Sequence, residues 1–198
     1  MSRGFTLVEV LVVVGIVVLI TGALTSFERT IFTQNSLLQN NLLADQDART
    51  ALRSFVAELR EAAPSDAGAY AIASAASTSI TFYADVKGDG LHDRIRYFVA
   101  TSTLWRGFLK PTGSPLVYNN ANETVTTLAR GLTSSSPTIF SYYNDNYAGT
   151  STPLAFPVDV AAVRLVQLTL SIDNDPNQPP GPSIYTTEVS VRSLKDNL

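Results

Sequence analysis

One carboxylate stands inside an apolar segment: Glu9, four positions after Phe5, which itself follows Gly4. An ionised carboxylate in hydrocarbon costs several kcal/mol unless it is neutralised or paired, so acids in membrane spans are rare and usually face a specific group. Two readings follow from position alone. Glu9 either reaches back to the lipid headgroups or meets a partner of opposite charge.

The second candidate for chemistry is the run Asp85-Val86-Lys87-Gly88-Asp89-Gly90-Leu91-His92-Asp93. It is similar to the start of an EF-hand-like calcium loop, with oxygen ligands at Asp85, Asp89 and Asp93 around a sharp turn at Gly90. Lys87 stands where an oxygen ligand belongs, and Arg96 where the closing bidentate glutamate belongs. The favoured reading is therefore an Asp/Gly-rich hairpin turn whose acids are neutralised by Lys87, with calcium as the alternative cofactor. Asp173-Asn174-Asp175 before Pro176 is a second oxygen-rich turn, explained by Asx and proline chemistry.

Little else could react. His92 is the sole histidine and cysteine is absent, so disulfides, thiolate sites and multi-histidine zinc sites are excluded. No Gly-x-Ser-x-Gly elbow occurs, and an enzyme is not expected. Trp105 with Phe108 and the pair Tyr142-Tyr143 could form a sugar or partner surface, but aromatics at strand spacing read first as core or cross-strand pairs.

These residues must be positioned by two kinds of element. From Phe5 to about Phe27 the chain is apolar, and positions 10–20 hold only apolar side chains and one glycine. At about 1.5 Å per residue, 20 residues cross a bilayer core of about 30 Å. Arg3 precedes the span, which puts the N-terminus in the cytoplasm and the rest outside. Beyond it Ile31, Leu38, Leu42, Ala48, Leu52, Phe55, Val56 and Leu59 recur at helical steps, and no proline intervenes before Pro64. One helix over 5–63 follows, its second half amphipathic.

After Pro64 the period becomes two. Strands are expected at 80–84 and 95–99, joined as a hairpin through 87–90, and at 103–109, 138–143, 163–172 and 184–193. In the last, Tyr185, Thr187, Val189 and Val191 alternate with polar residues, as in a strand with one buried face. The stretch 124–131 is read as a short helix ending at Gly131. The fold class is α+β: a long N-terminal helix packed on an antiparallel β-sheet head. The divisions are 1–4, 5–27, 28–63 and 64–198.

The 198 residues suffice for one compact domain plus an extension. With 17 acids against 14 bases and no dense Lys/Arg run, nucleic acid is not an expected partner.

Gly4-Phe5-Thr6-Leu7-Val8-Glu9 and the apolar run after it resemble the signal of type IV prepilins and pseudopilins. In that family a prepilin peptidase cuts after the glycine and methylates the new amine. The resemblance implies cleavage at Gly4, a methylated Phe5 terminus, and assembly through Glu9 pairing with the Phe5 amine of an adjacent subunit. It also implies a pilin-like head and, as partners, other pilins or pseudopilins, the peptidase, the inner-membrane assembly platform and membrane lipid. Its expected location is the cytoplasmic membrane and then an extracytoplasmic fibre. The loop-rich head and the ending Glu188-Val189-Ser190-Val191-Arg192-Ser193-Leu194 are similar to J-type minor pseudopilins of type II secretion. A membrane-tethered binding module that does not polymerise is the alternative.

Overall fold

A computed structural model describes residues 4, 6–133, 138–173 and 181–194; for 26–42 it describes the backbone only. One helix, α1, spans Leu7–Arg60, and the chain divides into two compact units, Met1–Leu42 and Leu43–Leu198.

In the first unit, Leu7–Thr25 is long and apolar enough to cross a membrane. Its apolar side chains are exposed, Leu7 by 80% and Leu19 by 75%. The hydroxyls within this stretch are satisfied locally, Thr21 Oγ1 donating to Val17 O at 2.7 Å and Thr25 Oγ1 to Thr21 O at 2.8 Å. Such back-bonding removes the donors that hydrocarbon would leave without partners. Ile31, Leu38 and Leu42 of the expected stripe lie outside the described side chains.

The second unit is the α+β head, with two antiparallel sheets where the sequence suggested one. The first orders β1 (Ile72–Ala75), β2 (Ser79–Ala84), β3 (Asp93–Ala100), β4 (Thr103–Leu109) and β5 (Thr124–Arg130) side by side. The second orders β6 (Phe140–Tyr143), β7 (Leu165–Ile172) and β8 (Ser183–Ser190). The expected hairpin is present, with Phe82 opposite Ile95 and Ile80 opposite Tyr97.

One core joins helix and sheets. Ala44, Ala48, Ala51, Phe55 and Leu59 form a buried stripe on α1, and the small alanines let strands approach the helix closely. Phe55 meets aromatic rings of both sheets, with centroids 5.1 Å from Tyr97, 6.5 Å from Phe82 and 5.8 Å from Phe140. The sheets are stitched together by backbone: Ile139 and Phe140 N–H both donate to Ser77 O, and Thr133 N–H donates to Ser171 O.

The helix ends where sequence chemistry dictates. Glu61 N–H and Ala62 N–H reach back three residues to Glu58 O and Leu59 O, a tightening ahead of Pro64. Ala63 N–H then donates to Tyr83 O and enters the sheet.

One expected element is corrected. The stretch 124–131 is not a helix but β5, paired with β4 from Thr103↔Arg130 to Phe108↔Thr124. Thr124, Val125, Thr126 and Thr127 are consecutive β-branched residues, which favour the pleated strand over the helix. Gly131, taken as a helix cap, does adopt φ 74°, but it turns the chain out of a strand. Strand β1 carries no clear period and was not expected. The C-terminal strand stops at Ser190, and Arg192–Leu194 is a 3-10 turn.

Phe55→Ala is expected to destabilise the head by about 3–5 kcal/mol, because a fully buried ring at the junction of three layers leaves a cavity that none of them can fill alone. Urea unfolding of the detergent-solubilised chain, followed by Trp105 fluorescence, measures it; a loss below about 1 kcal/mol contradicts this packing role.

Candidate functional site

The N-terminal site is described at Gly4, at Thr6 and from Leu7 onward; Phe5 lies outside the described residues. Gly4 is exposed, has no Cβ obstruction within 4 Å, and does not adopt positive φ. Nothing in the chain's own packing requires a glycine there.

Thr6 is the N-cap of α1, and sequence reasoning passed over it. Its backbone N–H donates to Glu9 Oε2 at 2.9 Å and its hydroxyl to the same oxygen at 3.0 Å, while Glu9 N–H donates back to Thr6 Oγ1 at 3.3 Å. This is a capping box, readable in retrospect from Thr6-x-x-Glu9 before an apolar run. It satisfies helix donors that would otherwise be orphaned where water is scarce. Glu9 also carries its negative charge at the positive end of the helix. Both bonds to the carboxylate fall on Oε2, so Oε1 has no partner among the described residues.

In the hairpin loop the three candidate calcium ligands take different partners. Asp85 closes its own turn, accepting from Asp89 N–H at 3.1 Å and Gly90 N–H at 2.8 Å. Gly88 and Gly90 supply the positive φ of this turn, 67° and 81°. Asp89 accepts from Leu91 N–H and pairs with Lys110, which holds its carboxyl below the usual range. The direct ion-pair partner of Asp89 is Lys110; the Lys87 ammonium lies over the Phe108 ring, 4.5 Å from its centroid, and acts on Asp89 and Asp93 through space.

Asp93 is fully buried on β3, and neither of its oxygens has a hydrogen-bond partner among the described residues. Among the described residues no three His, Cys, Asp or Glu side chains gather where a metal ion could be held. Asn174 and Asp175 of the other oxygen-rich turn lie outside the described residues.

The remaining polar groups are tied into the fold. His92 Nδ1 lies 3.0 Å from Asp66 Oδ1 and its N–H donates to Asp66 Oδ2, contacts that hold the Asp66 carboxyl below the usual range. Glu58 on α1 accepts from the Tyr97 hydroxyl at 2.8 Å and pairs with Arg106 at 2.8 Å, anchoring the helix to β3 and β4. Arg96 pairs with Glu123 across Gly107, where any Cβ would sit 2.3 Å from Glu123 Oε1. Tyr142 is buried with its hydroxyl bonded to Ala76 O and Ser79 O. Trp105 stands opposite Phe98, and Phe108 opposite Ile95, as cross-strand neighbours.

Burial holds the Asp93 carboxyl above the usual carboxylate range. A folded-state pKa above the unfolded one means that Asp93 costs nothing when protonated below the unfolded pKa, and that stability falls as pH rises through the folded pKa. Asp93→Asn removes that loss. It is expected to raise the melting temperature at pH 7 and to match wild type near pH 3, while millimolar calcium leaves wild type unchanged. A calcium-induced rise of several degrees that Asp93→Asn abolishes would establish a cation site instead.

Residues 1–25 match the family model described as the prokaryotic N-terminal methylation motif. No curated protein matches the chain. The match spans Gly4, Thr6, Glu9 and the whole Leu7–Thr25 segment. The N-terminus of this chain carries a type IV pilin-like prepilin signal, the kind of sequence a prepilin peptidase processes, continuous with an apolar helix long enough to cross a membrane.

Proposed function

We propose that the chain is a minor pilin or pseudopilin, a structural subunit of a type IV pilus or type II secretion pseudopilus, assembled through its N-terminal helix. The carrying observation is Glu9: an acid at the start of a membrane helix whose Oε2 is capped by Thr6 and whose Oε1 has no partner among the described residues.

Gly4 fits the leader of such a subunit, since nothing inside the chain demands glycine and an approaching peptidase benefits from bare backbone. Cleavage after Gly4 leaves Phe5 as a free amine one residue before the helix cap. That amine, methylated, is the cation that Oε1 of a neighbouring Glu9 would accept. Pairing neutralises two charges in hydrocarbon at once and fixes the axial register between subunits.

In this reading residues 1–4 are the leader, 5–27 the membrane and polymerisation helix, 28–63 its amphipathic continuation and 64–198 the head. The N-terminus faces the cytoplasm, and the head lies outside and later within a fibre. Other pilins or pseudopilins, the peptidase and the inner-membrane platform are the partners. The loop-rich head and the closing strand favour a J-type minor pseudopilin of type II secretion within this class. Calcium has no part in the mechanism, and the role is mechanical rather than catalytic.

Two outcomes follow. Intact mass of membrane-extracted protein is expected to correspond to a chain beginning at N-methylated Phe5, whereas a Met1 terminus, or one beyond residue 23, points to a tethered binding module. Glu9→Leu is expected to insert into the membrane normally yet to drop out of sheared fibres by tenfold or more; wild-type incorporation at equal abundance would remove the pairing role.

A further inference from the structure

The head carries a groove of about 720 Å³ between the exposed face of α1 and strand β8. Its helix wall presents Arg49, Arg53 and Arg60 around Leu52 and Val56; its strand wall is 184–187. Among the described residues no acid lines it, although the chain as a whole has a net charge of −3. Arg53 and Arg60 make no ion pair among the described residues. Arg49 lies over the Tyr185 ring, and the Tyr185 hydroxyl is bonded to Asp45, so that acid is already engaged. Ile184, 68% exposed, adds an apolar patch at the rim.

The strand wall is also an open edge. Among the described residues β8 is the last strand of its sheet, paired only with β7. Thr169 N–H donates to Ile139 O on the β6 side. By the alternation of an antiparallel ladder, the even-numbered residues of β7 then point to β8, where Leu170 meets Tyr185 and Leu168 meets Thr187. The N–H and C=O groups of Ile184, Thr186 and Glu188 therefore face outward, away from β7. Two of the other edges carry contacts: β6 receives Leu154 N–H at Tyr142 O, and the Tyr70 hydroxyl, beside β1, reaches Ala161 O.

We propose that this groove receives an acidic extended segment of a partner protein, added to β8 as the fourth strand of its sheet. Outward backbone groups supply main-chain pairing, and the arginines select the sequence. Spacing agrees with this. Arg49 and Arg53 are about 6 Å apart along the helix axis, close to the about 6.7 Å repeat of same-face residues in a strand. Carboxylates at alternate positions thus meet successive arginines on the helix side, while the residues between them point to the opposite face of the sheet, where an apolar side chain covers the exposed Ile184. The groove is separate from the N-terminal charge pair, and Glu9→Leu leaves it intact.

The test uses the full chain in zwitterionic nanodiscs and a fluorescent, end-blocked (Glu-Val)4 peptide, read by polarisation. Binding is expected, with (Lys-Val)4 at least tenfold weaker and with Arg53→Glu/Arg60→Glu weakening (Glu-Val)4 at least tenfold. Thr186→Pro removes one outward N–H from an edge strand that tolerates proline there, and is expected to abolish binding. Should that variant fail to fold, amide exchange in wild type decides: the Thr186 and Glu188 amides must slow when peptide is added. No binding at millimolar peptide, equal binding of the lysine peptide, binding that survives Thr186→Pro, or unchanged Thr186 exchange each overturns the proposal.

Discussion

The stripe Ala44, Ala48, Ala51, Phe55 and Leu59 is the contact on which the head depends, because both sheets close on it. Neither sheet could bury its own inner face: a three-stranded and a five-stranded antiparallel sheet each leave one side apolar and need a cover. The helix supplies that cover for both, with alanine where strands come near and one large ring, Phe55, where the sheets meet. Glu58 beside that ring then fixes rotation about the helix axis, since its carboxylate must reach both Tyr97 and Arg106. Packing sets how close the helix lies, and the ion pair sets which face it shows.

Two carboxylates in poor solvent illustrate how differently a charge is managed within one chain. Glu9 sits in an apolar segment but at the first turn of a helix, where backbone donors and the helix dipole favour the anion. Asp93 sits in the head, on a strand, where no donor reaches either oxygen, and its proton is retained to higher pH. Helix termini concentrate unused donors, whereas a ladder consumes them. An acid beginning a membrane helix therefore finds hydrogen-bond donors in its own first turn. Asp93, buried in a sheet, instead holds its carboxyl above the usual range through desolvation.

Much of this was legible in the sequence because period and punctuation agreed locally. The hairpin of β2 and β3 follows from alternating residues around Gly88 and Gly90, and β4 runs from Thr103 to Leu109 as its pattern suggests. The stripe from Ala48 to Leu59 was visible at helical spacing. What escaped were features decided by tertiary partners. Thr124–Arg130 has a terminal glycine like a helix, and only pairing with β4 makes it a strand. Ile72–Ala75 is too short and too rich in alanine and serine to declare itself. Lys110 reaches Asp89 across 21 positions, so a nearer lysine looked like the natural partner. At the N-terminal site, Gly4 and Glu9 stood out as exceptions to apolarity, while Thr6 was overlooked because a threonine looks ordinary until its bond geometry is known.

The same tertiary logic explains why α1 carries arginines on the side turned away from its alanine stripe. A helix covering two sheets has its core-facing side set by packing, and the rest is free to vary with function. On that free side, Arg49, Arg53 and Arg60 fall within one turn-aligned strip beside β8, the edge on which Ile184 stays exposed. An edge strand with an exposed isoleucine and no lysine or proline of its own is an aggregation hazard unless something else discourages neutral, apolar strands. Three cations flanking the edge do so: they repel basic segments and leave apolar ones with arginines to desolvate. Selectivity for acidic segments and protection against indiscriminate pairing thus come from the same three side chains.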